Sequence, residues 1–216
     1  MGFVNMIVKI AVGKFGKGVV WLSELPTCAI FKAQSIVESV NPSAGNHGGM
    51  LRQAAIELNI PKGPRSEYGL LGGTFQPDSS MTLRTYIHTT SFFGPTYPST
   101  VAIGSEVTHI GIPLEYEPGI SSGIEDAISV RSALPSGELR FDRGVHGEIG
   151  SDSLIFRYLS YIVFGLFEFI EECPDDDLIT SFVYKSLCTK LQNERSAMLR
   201  SEIEFGQERS RMESTI

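Results

Sequence analysis

The sequence predicts an α+β domain in which the N-terminal and middle regions are rich in β-strands and the C-terminal third is helical. Two patterns support this fold class: apolar residues alternate from Val4 to Val12, and a nearly continuous apolar run extends from Leu154 to Ile170. The chain has 216 residues, of which 42% are hydrophobic, and this is enough for one sizeable core. We therefore expect a single domain over residues 1–205, followed by a polar C-terminal tail at 206–216.

The first predicted element is a β-hairpin rather than a signal peptide. A period of two residues predicts a strand that ends near Val12, and Val19 to Leu22 form the second strand. Glycines punctuate the turn between them. Three lysines would allow this hairpin to contact a membrane surface, namely Lys9, Lys14 and Lys17.

A helix is predicted near residues 46–59. Its apolar residues repeat at i, i+1, i+4, i+5 and i+8, and Pro61 closes the pattern. On this helix we expect Ala55 to be buried, whereas Arg52 and Glu57 are expected to be exposed. The apolar residues of the pattern are Met50, Leu51, Ala54, Ala55 and Leu58.

The middle of the chain is predicted to form a long loop followed by strands and one short helix. Glycines and prolines predict the loop between Gly63 and Pro77, and β-branched residues predict strands after it. The expected elements are a β-rich segment from Met81, a second sheet segment from Val101 to Leu114, a helix from Ile120 to Val130 capped by Ser121 or Ser122, and a strand near Leu139 to Val145.

The run from Leu154 to Ile170 is predicted to be a helix that does not cross a membrane. It is shorter than the roughly 20 residues that a spanning helix needs, and it contains Arg157 and Glu168. A second, amphipathic helix is expected from Leu178 to Ile203. Because the first helix is apolar almost all round, it either lies buried in the core or meets another subunit or a bilayer surface.

Charge and cysteine content narrow the class of protein. Asp and Glu number 25 against 18 Lys and Arg, which gives a formal charge of −7 and argues against a dominant nucleic-acid-binding surface. The three cysteines form no C-x-x-C motif and leave an odd thiol, so a disulfide scaffold is not indicated. We expect an intracellular protein in a reducing compartment.

One string suggests a cofactor. Residues 43–48 read Ser-Ala-Gly-Asn-His-Gly and precede the predicted helix. The string resembles the asparagine loop of fold-type II pyridoxal-phosphate enzymes. This resemblance implies that Asn46 contacts the cofactor ring, that Ser43 holds a substrate carboxylate and that Gly48 permits close backbone approach. The Schiff-base lysine of such an enzyme would be Lys32, which follows an aromatic residue.

A second string resembles part of another family. Residues 112–118 read Ile-Pro-Leu-Glu-Tyr-Glu-Pro, and residues 123–127 read Gly-Ile-Glu-Asp-Ala. Together they are similar to the fourth domain of translational elongation factor G. In that domain, which mimics a transfer RNA anticodon arm, the corresponding segment links into a helix.

A polar cluster near residue 146 is the remaining candidate for chemistry. It is either a metal or acid/base site or a solvated loop, and the spacing matches no ligand motif, which favours the loop. The cluster consists of Arg143, His146, Glu148 and Asp152, interspersed with Gly144, Gly147 and Gly150.

The sequence therefore predicts a non-enzymatic protein that self-associates or binds a protein partner, such as a subunit of a shell, coat or matrix layer, with no cofactor. More apolar residues are present than one small core needs, and these include Phe92, Phe93 and Tyr97. No Walker A, G-x-S-x-G or H-E-x-x-H motif is present. The alternative is a pyridoxal-phosphate enzyme or a degenerate relative of one.

Overall fold

A mixed β-sheet of eight strands forms the centre of the structure, and helices cover one of its faces. This computed structural model describes residues 5–13, 16–43, 49–91, 94–98, 101–102, 104, 106–131, 135–170 and 174–189. The architecture is α+β with helices in the C-terminal part, as the sequence predicts. The expected tail at 206–216 and the end of the expected second helix lie outside the described residues.

The strands follow one another across the sheet in the order β1-β2-β4-β5-β8-β6-β3, and β7 pairs with β8 beside this path. All neighbouring pairs are antiparallel except β6 and β8, which are parallel. The elements are β1 Met6–Val12, β2 Gly16–Leu22, β3 Ser35–Pro42, β4 Arg52–Lys62, β5 Arg65–Pro77, β6 Thr82–Thr89, β7 Thr108–Ile110, α1 Glu117–Ser129, β8 Gly137–Gly147 and α2 Ser153–Phe169, with a further helix at 176–189.

The N-terminal hairpin is confirmed by β1 and β2, which pair antiparallel with Val8 opposite Val20. Alternate residues of β1 point towards the helices and are buried, while Ile7 and Lys9 point to the other face and are exposed. Val4 and Lys14 lie outside the described residues.

The helix predicted near 46–59 is wrong, because the described part of this segment contains β4. The five residues from Ala54 to Leu58 are all fully buried, so both faces of the strand are covered. Burial on both faces removes the alternation that identifies a strand and leaves an apolar run that resembles a helix. Ala55 is buried as expected, whereas Arg52 is half-buried and Glu57 is fully buried.

The loop predicted between Gly63 and Pro77 is also wrong, because this segment contains β5. Only Gly63, with φ of +66°, serves a turn, and it joins β4 to β5. Gly72 and Gly73 flank a register shift where β5 pairs with β8. A side chain at Gly73 would collide with the carbonyl oxygen of Arg140, so this glycine permits close approach of two strands.

The region from 101 to 131 follows the prediction only in part. Within the described residues of the expected strand from Val101 to Leu114, only β7 is a strand. The short helix is confirmed as α1, but it begins at Glu117 with Pro118 in its first turn, so neither expected serine caps it. Because β6 and β8 are parallel, the chain needs a long connection between them, and α1 lies in that connection.

Helix α2 is buried within the monomer. The Asp152 side chain caps its N-terminus by accepting hydrogen bonds from the backbone N–H groups of Leu154 and Ile155, both at 2.9 Å. The sheet, α1 and the helix at 176–189 cover its apolar surface, and Phe164 is only 4% exposed. Neighbouring helices therefore cover the excess apolar surface, and of the two alternatives for this helix the structure shows burial in the core.

No helix in the described part of the chain is both long enough and apolar enough to cross a membrane. The longest, α2, has 17 residues and lies in the core.

Replacement of Ala55 by Asp is expected to destabilise the protein by about 4 kcal/mol or more, because the carboxylate would lose its hydration on burial between β2 and β5. The free energy of unfolding in urea measures the effect. Ser39→Asp, at an exposed position of β3 opposite Thr85, is the control and should cost less than about 1 kcal/mol. Equal losses in the two variants would contradict the burial of β4 on both faces.

Candidate interaction surface

The strand β3 forms one edge of the sheet and extends beyond the area that the helices cover. Among the described strands its single neighbour is β6. Val37 points to the helix side and packs partly against the core. On the opposite face Ile36 and Val40 are 53% and 56% exposed, and Glu38 lies between them. This edge therefore combines backbone groups that face no described strand with exposed apolar side chains.

The other edge of the sheet is β1, whose single neighbour among the described strands is β2. Its helix-side residues are buried in the core. On the other face Ile7 is 58% exposed, and Lys9 and Ala11 are also exposed. Lys9 and Lys17 are the hairpin lysines that the structure describes, and contact of this hairpin with a membrane stays a prediction.

Three arginines on the face opposite the helices each pair with an acidic side chain. Arg84 pairs with Asp78, Arg140 with Glu138 and Arg143 with Asp142. Hydrogen bonds from Ser80, together with the Arg84 guanidinium, lower the pKa of Asp78 to about 2. Arg140 also lies over the ring of Tyr86, 4.9 Å from its centroid. These arginines are thus neutralised locally and do not form a continuous basic surface.

A buried carboxylate lies on the same face, beneath the loops that cover the middle of the sheet. Glu57 accepts a hydrogen bond of 2.8 Å from the hydroxyl of Tyr68, and both residues are fully buried. Burial raises the pKa of Tyr97, and the negative charge of Glu57 adds to the effect. Sequence analysis did not identify this buried carboxylate. The one available signal was that Glu57 lies within an apolar run, and an acid in such a run is also an ordinary feature of an amphipathic helix.

The structure does not bring the predicted polar cluster together as one site. His146 is fully buried in β8 and contacts the carbonyl oxygen of Gly111, whereas Glu148 is exposed in the following turn. Asp152 caps α2, and Arg143 pairs with Asp142. The solvated-loop interpretation is therefore wrong for His146 and confirmed for Glu148.

Another histidine, His109, contacts acceptor atoms with both of its ring nitrogens. Its Nε2 atom lies 2.8 Å from a carboxylate oxygen of Glu148, and its Nδ1 atom lies 2.9 Å from the carbonyl oxygen of Gly94. Because both ring nitrogens face acceptors, the protonated imidazole is favoured. The hydrogen bond to Glu148 raises the pKa of His109 above its ordinary value of 6.5.

The described residues around this histidine give no support for a metal site or an anion site. No group of three or more His, Cys, Asp or Glu side chains is placed to hold a metal ion in the described ranges. A neighbouring surface cleft of about 250 Å³ contains Arg65 and Glu106. The Glu106 carboxylate itself accepts hydrogen bonds from the backbone N–H groups of Ile149 and Gly150, at 3.2 and 2.9 Å. Those donors are therefore not available to an external anion.

The His109 contact predicts a stability contribution that depends on pH. Because the folded-state pKa is raised, this contribution is fully present below pH 6.5 and is lost as the pH rises through the folded-state pKa. Glu148→Gln should lower the pKa of His109 and cost up to about 1 kcal/mol near pH 6, but almost nothing near pH 9. NMR titration and urea unfolding at both pH values measure this, with Glu125→Gln as the control at an exposed helical position. Equal losses at the two pH values would contradict the assignment.

The residues of the pyridoxal-phosphate resemblance are described only in part. Lys32 is exposed, and Ser43 is buried with its backbone N–H bonded to the carbonyl oxygen of Met81 at 2.9 Å. Asn46 and Gly48 lie outside the described residues, as do Phe92 and Phe93. Because the described part of the segment forms β4 instead of the expected helix, it provides no helix N-terminus that could bind a ligand. Binding of pyridoxal phosphate stays a prediction.

The segment that resembles the fourth domain of elongation factor G does link into a helix. Residues Leu114–Tyr116 form a short 3₁₀ turn that leads directly into α1. A short turn that leads into a helix occurs in many unrelated folds, so this local agreement supports no function.

No protein-family model matches the chain, and no curated protein matches it significantly.

Proposed function

We propose that this protein is a non-enzymatic subunit that self-associates, of the kind that builds a shell, coat or matrix layer. The observation that carries the proposal is the edge strand β3, which has eight residues and exposes Ile36 and Val40 beside its outer backbone groups. Such an edge is a template for a further strand, because a new strand supplies main-chain hydrogen bonds and covers the apolar side chains.

β3 has few of the features that prevent an edge strand from pairing with another chain. Edge strands are commonly short, bulged, covered by another element or rich in charge. β3 pairs with β6 along its whole length without a register shift, and Glu38 is its single charged residue. Pro42, which lacks a backbone donor, stands at the very end of the strand. These features favour association over a strictly monomeric protein.

Self-association is tested by measuring mass with light scattering over a wide range of micromolar concentrations. We expect masses above 23.7 kDa that increase with concentration. Ile36→Lys should weaken association, because it places a charge within the apolar edge without disturbing the core. Ile149→Lys is the matched control, since Ile149 is 69% exposed in the turn after β8. A mass of 23.7 kDa at every concentration would contradict the proposal.

The alternative enzyme class is distinguished by colour and covalent labelling. A Schiff-base lysine needs a desolvated amine, whereas Lys32 is exposed. After incubation with pyridoxal phosphate and reduction with borohydride, we expect Lys32 to carry no more label than exposed Lys17, and the protein to remain colourless. Stoichiometric labelling of Lys32 with visible absorbance would favour the enzyme.

A further inference from the structure

We infer that the strand that pairs with β3 is β1 of a second copy of this chain, in an antiparallel register that places Glu38 opposite Lys9. This inference rests on the proposed self-association and specifies the surface that carries it. Each copy then offers one edge to the preceding subunit and the other edge to the following subunit.

The chain directions of the two edges fit such a pairing. From β1 to β3 the sheet contains five antiparallel steps and one parallel step, so β1 and β3 run in opposite directions. When a second copy is placed beside the first in the same orientation, its β1 lies antiparallel to β3. The sheet then continues from one copy to the next, with the helices of both copies on the same face.

The exposed residues of the two edges also point to the same face. The helix-side residues Val8 and Ile10 belong to the core, so Lys9 points away from the helices. Val37 packs against the same core, so Glu38 points away from the helices as well. Residues directly opposite each other in an antiparallel pair share a face, which makes the Lys9–Glu38 pairing sterically consistent.

In this register all three exposed residues of β1 face a complementary residue of β3. On either side of the central pair of opposite charges, apolar residues meet apolar residues. Each of these cross-strand contacts stabilises an antiparallel pair. The three pairs are Ile7 with Val40, Lys9 with Glu38 and Ala11 with Ile36.

Shifted registers lose this complementarity. A shift by one residue would turn the apolar set of one strand to the wrong face. A shift by two residues in either direction places Glu38 opposite Ile7 or Ala11 and leaves Lys9 opposite an apolar residue. Pairing of β3 with another β3, in the register that matches Ile36 with Val40, places two Glu38 carboxylates opposite each other. Like charges in that position oppose pairing.

The pairing is heterologous, so it does not end with a dimer. Each added copy presents a new free edge, and the assembly grows until the rotation between copies closes a ring or continues as a filament. The right-handed twist of the sheet sets that rotation. This mode of growth suits a subunit of an extended layer or fibre.

Charge reversal at the two edges tests the inference. Lys9→Glu and Glu38→Lys each place like charges across the interface, and each should weaken association about tenfold in sedimentation velocity at low ionic strength. An equimolar mixture of the two variants should restore association, because opposite charges then meet at every contact between unlike copies. Both positions are exposed, and circular dichroism with thermal melting confirms that each variant is folded.

The controls are charge reversals away from the edges. Lys185→Glu alters the exposed side of the helix at 176–189, and Glu125→Lys alters the exposed face of α1; both should associate like the wild type. The neutral variants Lys9→Gln and Glu38→Gln should give smaller losses than the reversals.

The outcomes separate the inference from the proposed function. Restoration by mixing supports the pairing of β3 with β1. If the wild type assembles and neither charge reversal weakens assembly, this pairing is overturned and self-association stands. The same holds if Glu38→Lys weakens assembly but Lys9→Glu does not. A wild type that remains monomeric overturns the proposed function, and the pairing with it.

Discussion

Burial of β4 and β5 on both faces is the constraint on which the rest of the structure depends. On one face, Ile56 and Leu71 join the core that α1 and α2 complete. On the other, Tyr68 and Leu70 lie in a smaller cluster with residues of the connecting segments, including Ala29, Tyr97 and Ala102. Two sets of covering elements are therefore needed, helices on one side and loops on the other.

Covering the centre of the sheet leaves exposed apolar side chains at its two edges. The helices and loops of this chain reach across β4, β5 and β8, whereas β3 lies beyond them and exposes residues on both faces. The apolar surface that seemed to need a partner in the long C-terminal helix is instead covered within the monomer. The exposed apolar residues that remain at the margins include Ile7, Ile36 and Val40. The proposed association therefore relies on the strand edges.

The polar groups of the interior help to fix this arrangement. The Glu57 carboxylate and the Tyr68 hydroxyl satisfy each other between neighbouring strands, and a shift in the register of β4 against β5 would break that contact. At the surface, His109 joins Glu148 to the backbone of Gly94 and ties the turn after β8 to a loop. These contacts position the covering loops.

The sequence by itself determined the elements whose patterns are local. Period-two alternation identified the N-terminal hairpin, and the apolar run from Leu154 to Ile170 identified α2. The sequence also contains the charges of Lys9 and Glu38, but nothing in the sequence showed that they stand at opposite edges of one sheet.

Tertiary structure alone decided that Ala54 to Leu58 form a strand, because an apolar run fits a helix and a doubly buried strand equally well. It likewise decided the role of Gly72 and Gly73, since glycines that permit close packing of strands have the same sequence signature as glycines in a loop. Those distinctions depend on what lies across the sheet, and contacts between distant parts of the chain supply that information.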